Sequence, residues 1–552
     1  MNISQHASFD SSKYKPFPVF DMLQREWPGK RIEKAPRWCS EDLRDGNQAL
    51  INPLSVEQKS VFFKLLVNIG FKEIVVGFPS ASQADFDFVR LLIEQQMIPD
   101  DVTISVLTPA REAFIQRSFE ALKGAKQAIV HLYNSTSKIQ REKVFNLDDQ
   151  AVIRLAVNAA QIMQDCADKQ SETSWTFEYT PESFTATEPE FALEICNAVG
   201  KVWQPTVEHP VIFNLPSTVE NTTPNIYADR IEWFSKHIDN REGIILSVHT
   251  HNDRGCAIAS AELAILAGAQ RVEGTLLGNG ERTGNADLLV MAMNLYSQGI
   301  DPELDFSEMS TIVETVSRLN QIDLHPRHPY AGELVFSAFS GSHQDAIKKC
   351  LTAYQTGDQW DVAYLPIDPV DIGRNYQEVV RINSQSGKGG VAYVIEQALG
   401  LQLPRWLQSE FSLIVQHKAE QTGCEILPAE LEALYKANYL EGDDCYRLLS
   451  FNIQHEQQDI LQAQLSTPDG DIKITGAGDG ALAAFINALQ THFGREIEIV
   501  HYDEHALSTG TDAKAICYIQ LEINGRLQTG IASHSDIVSA SLNAVLSSLS
   551  IK

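Results

Sequence analysis

Two histidines separated by one residue are the clearest chemical signal in the sequence. His249 and His251 follow an apolar run in the segment Leu246–Asp253, and side chains at positions i and i+2 of a β-strand point to the same side. That geometry suits a metal-binding pair. An isolated His-x-His motif is nevertheless common without a metal, so the pair needs support from a third ligand.

A carboxylate far upstream can supply the third ligand. Arg44 and Asp45 end another predicted strand in the segment Trp38–Gln48, so Asp45 would add an oxygen ligand and Arg44 a fixed cation beside it. Structural zinc sites normally close four positions with Cys and His, whereas two imidazoles and one carboxylate leave positions open for substrate oxygens. The residue types therefore favour a catalytic divalent ion.

The elements that must position these side chains follow a repeating pattern. From Arg37 to about Gly278, short β-rich runs alternate with longer segments that carry apolar residues at helical spacing. Eight strands are predicted, at Trp38–Leu43, Glu73–Gly77, Thr103–Leu107, Ala128–Leu132, Thr176–Tyr179, Val211–Leu215, Ile244–Val248 and Arg271–Thr275. Eight strand–helix units in succession predict an α/β fold of the (β/α)8, or TIM-barrel, type.

The barrel prediction has a direct consequence for the chemistry. Enzymes of this fold build their sites from the C-terminal ends of several strands. Glu182 ends the fifth strand, Thr218 follows the sixth, and the glycine-rich segment Gly278–Asn285 follows the eighth. Asn285 is a candidate for orienting a metal-bound water or a substrate oxygen. We expect all of these side chains to meet Asp45 and the histidine pair at one rim.

The chain is long enough for more than one domain. Its 552 residues, 43% of them hydrophobic, suffice for two or three packed cores. We divide it into an N-terminal extension (1–35), a catalytic barrel (36–325), a mainly helical linker region (326–430) and a C-terminal α+β domain (431–552) with signs of a weak internal duplication. In that last domain Gly476–Gly480 lies at a helix start, where free N–H groups could hold a carboxylate, although a tight turn explains it equally well.

The charge balance and the cysteines narrow the partners and the compartment. A formal net charge of −28 argues against nucleic acid or an anionic membrane as the principal partner. No segment resembles a signal peptide or reaches the roughly 18 apolar residues of a membrane span. Eight cysteines lie scattered without a Cys-x-x-Cys pair, which predicts reduced and mostly buried thiols. We therefore expect a cytoplasmic protein.

Several motifs together resemble the 2-isopropylmalate synthase family, in its long, actinobacterial-like form. The motifs in the predicted barrel are Leu43–Gln48, Val76–Ser82, His249–Asp253 and Gly278–Asn285. The resemblance continues through Phe339–Asp345, Asn383–Gly390, Gly476–Gly480 and Tyr502–His505, and so covers nearly the whole chain. The barrel motifs alone would indicate only the wider group that contains homocitrate and citramalate synthases and the related acyl-CoA lyases.

The resemblance implies a metal-dependent acyltransferase. Its members condense acetyl-CoA with 3-methyl-2-oxobutanoate and water, giving (2S)-2-isopropylmalate and CoA in the first committed step of leucine biosynthesis. It also implies a divalent ion held by Asp45, His249 and His251, with Asn285 close to the coordination sphere. Mg²⁺ or Mn²⁺ suits a shell completed by the oxygens of a 2-oxo acid, and two imidazoles also permit Zn²⁺.

The resemblance assigns roles to further side chains. Arg44 could neutralise charge that develops on the keto oxygen, and the residues matching Glu182 and Thr218 lie at the substrate or acetyl-CoA site. His343 is the candidate base for acetyl-CoA, against the alternative of an exposed surface histidine. In this family the residues matching His343 and Tyr364 come from the linker region of the partner subunit, which implies a homodimer.

The C-terminal region resembles the leucine-binding regulatory domain of the same family. The expected contacts with leucine are Gly476, Gly478, Asp479 and Gly480, and feedback inhibition follows from the resemblance. Two alternatives stay open. One is a citramalate or homocitrate synthase, which uses another 2-oxo acid; the other is a noncatalytic amino-acid sensor, against which the intact set of metal ligands argues.

Overall fold

The computed structural model describes residues 11–18, 20–376, 381–383, 386–441, 445–507 and 513–550. Two residues of the motif Asn383–Gly390, at positions 384 and 385, lie outside this set. The chain forms two compact units, Met1–Val335 and Phe336–Lys552.

Eight strands close into a parallel barrel in the first unit. They are β1 (Arg37–Ser40), β2 (Glu73–Gly77), β3 (Thr103–Pro109), β4 (Gln127–Ser135), β5 (Ser174–Glu182), β6 (Val211–Asn214), β7 (Ile244–His249) and β8 (Arg271–Gly274). Strand β1 pairs with β8, which closes the barrel. The predicted TIM barrel is confirmed, with all eight strands in the expected order.

Helices cover the outside of the barrel and end the first unit. They are α1 (Val56–Ile69), α2 (Gln83–Glu94), α3 (Glu112–Leu122), α4 (Asp149–Asp168), α5 (Pro189–Trp203), α6 (Pro224–His237), α7 (Ala257–Leu266), α8 (Leu288–Tyr296) and α9 (Met309–Asn320). Helix α1 shows why these segments form: Ser55 and Gln58 close a capping box, while Phe62, Phe63 and Leu66 are buried.

The first strand is shorter than predicted. It ends at Ser40 rather than Leu43, because the chain enters a π-helical turn at Asp42–Gly46. The backbone N–H groups of Arg44 and Gly46 both donate to the carbonyl of Glu41 and hold this turn closed. Arg44 and Asp45 therefore project from a turn at the mouth of the barrel, not from the strand itself.

The second unit begins with helices and continues as an α+β region. The helices are α10 (Gly341–Ala353), α11 (Lys388–Leu399), α12 (Arg405–Thr422) and α13 (Pro428–Tyr439). The α+β region contains β9 (Arg447–His455), β10 (Asp459–Thr467), β11 (Gly470–Gly478), α14 (Ala481–Phe493), β12 (Ile497–Ala506), β13 (Ala515–Ile523), β14 (Arg526–His534) and α15 (Ile537–Ser550). Two antiparallel three-stranded sheets, each followed by a helix, bear out the signs of duplication.

Strand β13 contributes to two hydrophobic cores through its two faces. Cys517, Ile519 and Leu521 pack with helices α14 and α15. Ile516 and Tyr518 pack instead with helices α11 to α13. The alternation of side chains along a strand thus lets one sheet join the α+β region to the helices before it.

A carboxylate on α12 reinforces this joint. The side chain of Glu410 accepts hydrogen bonds from the Tyr439 hydroxyl at 2.9 Å, from Gln520 Nε2 at 2.7 Å and from the Thr529 hydroxyl at 2.8 Å. Gln520 lies on β13 and Thr529 on β14. Helices α12 and α13 are thereby fixed to the second sheet.

The eight cysteines differ in how far they are buried. All eight cysteines are free thiols, but only Cys39, Cys196 and Cys517 are buried. The prediction of mostly buried thiols is wrong, because the other five lie in loops or on partly exposed helix faces. Within the described residues, no helix combines the length and apolar content needed to cross a bilayer.

Candidate metal centre and active site

The three predicted metal ligands meet at the mouth of the barrel. His249 is the last residue of β7, His251 follows two residues later, and Asp45 lies on the turn after β1. The Oδ2 atom of Asp45 is 3.8 Å from Nε2 of His249 and 3.9 Å from Nε2 of His251. The two imidazole rings stack with their centroids 5.1 Å apart. All three side chains are buried.

The spacing of these atoms fits one divalent ion. Two ligands that each lie about 2.1 Å from an ion are about 3 Å apart at a right angle and about 4.2 Å apart when opposite. The separations from Asp45 to the two histidines fall within that range. The Nδ1 atom of His251 is buried and has no hydrogen-bond partner among the described residues, whereas its Nε2 faces Asp45 at 3.9 Å.

Asn285 lies between two of the ligands. Its Nδ2 donates to Oδ2 of Asp45 at 2.7 Å, and its Oδ1 is 2.8 Å from Nε2 of His249. It therefore contacts the atoms that an ion would contact. An amide oxygen, a carboxylate and two imidazoles form a donor set that suits a divalent cation with positions left open for substrate.

Electrostatics prepare Asp45 and His251 for a cation. Burial alone would raise the pKa of Asp45, but the charges of Arg44 and His249 and the hydrogen bond from Asn285 outweigh it and lower that pKa to about 2. Burial lowers the pKa of His251 to about 3. Asp45 is therefore ionised and His251 is neutral at pH 7, and these are the protonation states that bind metals.

Arg44 is held beside the ligands by two carboxylates. Its Nε donates to Glu41 at 2.8 Å and its Nη1 to Oδ1 of Asp45 at 2.9 Å. Burial would lower the pKa of Arg44, yet the neighbouring carboxylates raise it above its ordinary value. Burial raises the pKa of Glu41 to about 7. The guanidinium is a permanent cation aimed at the metal site, with its side chain 13% exposed.

The far nitrogen of His249 is held by a residue that the sequence analysis did not single out. Nδ1 of His249 lies 2.8 Å from Oε2 of Glu273 on β8. Glu273 also accepts from Asn214 at 3.0 Å and from Arg271 at 2.6 Å. Burial opposes its ionisation, but Arg271 and the bond to His249 keep the pKa of Glu273 well below its usual value. A proton on Nδ1 would leave the Nε2 lone pair available to a divalent ion.

We expect Glu273→Gln to weaken Mn²⁺ binding by about 10- to 100-fold, because the amide cannot stabilise His249 as the carboxylate does. Calorimetric titration of the full chain, freed of metal by dialysis against a chelator, measures this affinity. Glu190→Gln, on an exposed position of α5, is the control and should leave the affinity unchanged. Equal affinity in both variants would contradict the role given to Glu273.

A cavity of about 210 Å³ opens in front of the ligands. Glu182 and Thr218 line it together with Arg44. Glu182 accepts a hydrogen bond from the Ser135 hydroxyl, and the Thr218 hydroxyl accepts from the backbone N–H of Ser183 at 2.9 Å. The apolar part of the lining consists of Phe78, Leu107, Tyr133 and Pro216. The cavity therefore offers both a cationic site and an apolar wall to a small carboxylic acid.

His131 is a further lining residue that the sequence analysis missed. Its Nε2 lies 2.6 Å from the Thr180 hydroxyl, and burial lowers the pKa of His131 to about 3. The ring is therefore neutral. A histidine within the otherwise apolar run of β4 was the signal that could have revealed it.

The remaining predicted residues lie in the second unit. His343 is on α10 and its ring stacks on Tyr364, with centroids 4.0 Å apart. Tyr364 has a left-handed backbone conformation (φ 66°) and is 60% exposed. The structure thus places these two residues together, with the tyrosine ring accessible.

The predicted effector segment Gly476–Gly480 overlaps the end of β11, so only Asp479 and Gly480 lie between that strand and α14 rather than the whole segment. Gly476 and Gly478 belong to the end of β11, and Asp479 accepts a hydrogen bond from Gln458 at 3.2 Å. A Cβ atom at Gly476 would lie 2.3 Å from the carbonyl oxygen of Ala484, so only glycine allows the helix to approach the strand this closely.

The barrel and its metal-ligand set define the chain as a member of the HMGL-like class, whose family model matches residues 35–316. Residues 333–396 match a model described as alpha-isopropylmalate synthase, post-catalytic domain-like, and residues 425–551 match the LeuA allosteric (dimerisation) domain. Curated relatives match nearly the whole chain. The 2-isopropylmalate synthase of Alcanivorax borkumensis is 54% identical over 545 residues, which is 98% of this chain and 97% of the relative. That of Pseudomonas savastanoi pv. phaseolicola is 53% identical over 541 residues, again 98% and 97%. The chain belongs to the 2-isopropylmalate synthase family, which confirms the resemblance in its motifs.

Proposed function

We propose that the chain condenses acetyl-CoA with 3-methyl-2-oxobutanoate and water to give (2S)-2-isopropylmalate and CoA. This is an acyl transfer of the Claisen type and the first committed step of leucine biosynthesis. The observation that carries the proposal is the convergence of Asp45, His249 and His251 on one point beside Arg44, at a cavity with an apolar wall. Membership of the family supports the choice of reaction.

The residues at the barrel mouth bind and polarise the 2-oxo acid. Asp45, His249 and His251 would hold a divalent ion, which would supply a Lewis acid for the 2-oxo acid. Arg44 cannot act as a general acid at neutral pH because its guanidinium stays protonated. It instead stabilises the negative charge that develops on the keto oxygen, and its bonds to Glu41 and Asp45 fix it before the reaction begins. Asn285 orients a ligand oxygen, and Thr218 positions the substrate.

Proton transfer requires a base for the methyl group of acetyl-CoA, which is a weak acid. We assign this role to His343, with Tyr364 stacked against it and Glu182 at the cavity as a further group for positioning and proton transfer. As the family resemblance implies, a homodimer supplies His343 and Tyr364 of the partner subunit to each barrel. The match of residues 425–551 to a dimerisation domain supports this assembly.

Mg²⁺ or Mn²⁺ is the proposed ion and Zn²⁺ the alternative, since carboxylate and amide oxygens accompany two imidazoles. We keep the proposed division into extension, barrel, linker and regulatory region at 1–35, 36–325, 326–430 and 431–552. The family segments at 35–316 and 425–551 support the borders of the barrel and the regulatory region, whereas the segment at 333–396 covers only the first part of the linker. The cytoplasm is the proposed compartment, in keeping with eight free thiols.

The rate at which CoA thiol is released shows which 2-oxo acid is the substrate. The purified chain with Mn²⁺ and acetyl-CoA is given 3-methyl-2-oxobutanoate, pyruvate or 2-oxoglutarate, and kcat/KM is compared. We expect a clear preference for the first acid, whose branched group matches the apolar wall. Preference for pyruvate or 2-oxoglutarate would instead identify a citramalate or homocitrate synthase. Leucine binding without any thiol release would identify a sensor.

Leucine is the proposed feedback inhibitor, bound at Gly476, Gly478, Asp479 and Gly480. Helix α14 begins at Ala481 beside this loop, and its free N–H groups favour a carboxylate. Residues 425–551 match a domain described as allosteric, which supports the assignment. Inhibition requires that leucine bind a less active state more tightly than the active one.

We expect Gly476→Ala to weaken leucine inhibition by about tenfold or more, because its Cβ would push α14 away from β11. The ratio of thiol-release rates with and without leucine measures the effect. Gly29→Ala is the control, because this glycine has no left-handed backbone conformation and an added Cβ would have no atom within 4 Å. An unchanged inhibition constant in Gly476→Ala would remove the loop from the effector site.

A further inference from the structure

We propose that the buried Lys59 and the partly buried Asp85 form a positioning pair that anchors two loops of the metal site. The inference rests on the proposed function, because those loops carry Arg44, Asp45 and one wall of the substrate cavity. Neither Lys59 nor Asp85 lines that cavity. They act through the backbone of the residues that do.

Lys59 is a buried cation with two polar partners. It lies on α1 and is 1% exposed. Its Nζ is 2.5 Å from Oδ1 of Asp85 and 3.3 Å from the carbonyl oxygen of Leu43, and it lies 5.6 Å from the centroid of the Phe88 ring. Lysine is almost never fully buried unless it is paired. The bond to Leu43 fixes the turn Asp42–Gly46 immediately before Arg44 and Asp45.

The second oxygen of Asp85 holds the loop after β2. Oδ2 accepts a hydrogen bond from the backbone N–H of Phe78 at 2.7 Å. Gly77 has φ +144°, and a Cβ there would lie 2.8 Å from Cγ of Asp85, so the glycine is what admits the carboxylate. Phe78 lines the cavity and meets the Tyr133 ring edge-on at 6.4 Å. One ion pair thus ties the ligand-bearing turn to the apolar wall.

The pair contributes position more than stability. A buried ion pair adds little net stability over apolar side chains of similar size, whereas removal of one partner leaves an unpaired buried charge. Removing both charges should therefore restore much of the stability without restoring the anchor on Leu43. If the pair were purely structural, the activity of the variants would instead rise and fall with their stability.

The test compares Lys59→Met with the double variant Lys59→Met/Asp85→Asn in the full chain. The amide introduced by Asp85→Asn retains an oxygen for the Phe78 N–H, but no side chain then reaches the Leu43 carbonyl. We expect Mn²⁺ affinity and kcat to fall by about 10- to 100-fold in both variants, while the unfolding temperature recovers in the double variant. At saturating Mn²⁺ the kcat should stay low, because Arg44 shares the loosened turn. Lys72→Met is the matched control, since Lys72 and Asp101 form an exposed pair at 2.6 Å.

Each outcome of this test either supports or overturns the positioning role of Lys59 and Asp85. Affinity and kcat that remain low in the double variant support positioning. Unchanged values in Lys59→Met, or values that recover together with the unfolding temperature, overturn it. If the wild type releases no thiol with any 2-oxo acid but Lys59→Met still weakens Mn²⁺ binding, the proposed reaction fails and the positioning role stands.

Discussion

His251→Ala should lower both Mn²⁺ affinity and turnover by more than about 100-fold, because loss of a residue that merely supports a metal ligand already costs about 10- to 100-fold. The Nε2 atom of His251 is one of three buried ligand atoms within 4.8 Å of one another. Its Nδ1 has no partner among the described residues, so the fold loses few contacts. Calorimetry with Mn²⁺ and thiol release measure the two effects.

The control for this variant is His209→Ala, which removes an exposed loop imidazole far from the ligand set in sequence. It should bind Mn²⁺ as the wild type does. Near-normal metal-dependent turnover in His251→Ala, with a normal unfolding temperature, would remove His251 from the ligand set and leave Asp45 and His249 without a third partner.

Arg44→Lys should lower kcat by about 100- to 1,000-fold, the usual cost of losing a donor aimed at developing negative charge. Lysine keeps the charge but cannot reproduce the fixed fork that bonds Glu41 and Asp45 together. Steady-state kinetics with 3-methyl-2-oxobutanoate separate the parameters. Arg318→Lys, on an exposed position of α9, should behave as the wild type. A raised KM with unchanged kcat would mean that Arg44 binds the substrate without stabilising the transition state.

The barrel could be predicted because each strand carries its own local signal. Strand β7 runs from Ile244 to His249, and its apolar composition alone marks it as a strand. All of its residues are buried in the structure. The turn at Asp42–Gly46 could not be predicted. It depends on two N–H groups that share the Glu41 carbonyl, and neither composition nor periodicity indicates such a bond.

The candidate site was predictable only where its residues form a motif. His249 and His251 are neighbours in sequence, but Glu273 lies 24 residues from His249 and Asp85 lies 26 residues from Lys59. Their roles arise from closure of the barrel and packing of α1 on α2, which a single sequence does not display. One signal was available: Arg271 and Glu273 are charged residues within a short strand predicted to be buried, where they need partners.

The duplicated sheets of the C-terminal region are unequal partners. Among the described residues, only the copy built from β12 to β14 shares a core with helices α11 to α13, and Glu410 bonds to that copy alone. A tilt of this copy must move α12 with it, whereas the copy built from β9 to β11 is not attached in this way. The region is therefore attached to the helices through one sheet, whereas the segment proposed to bind leucine overlaps the end of a strand in the other sheet.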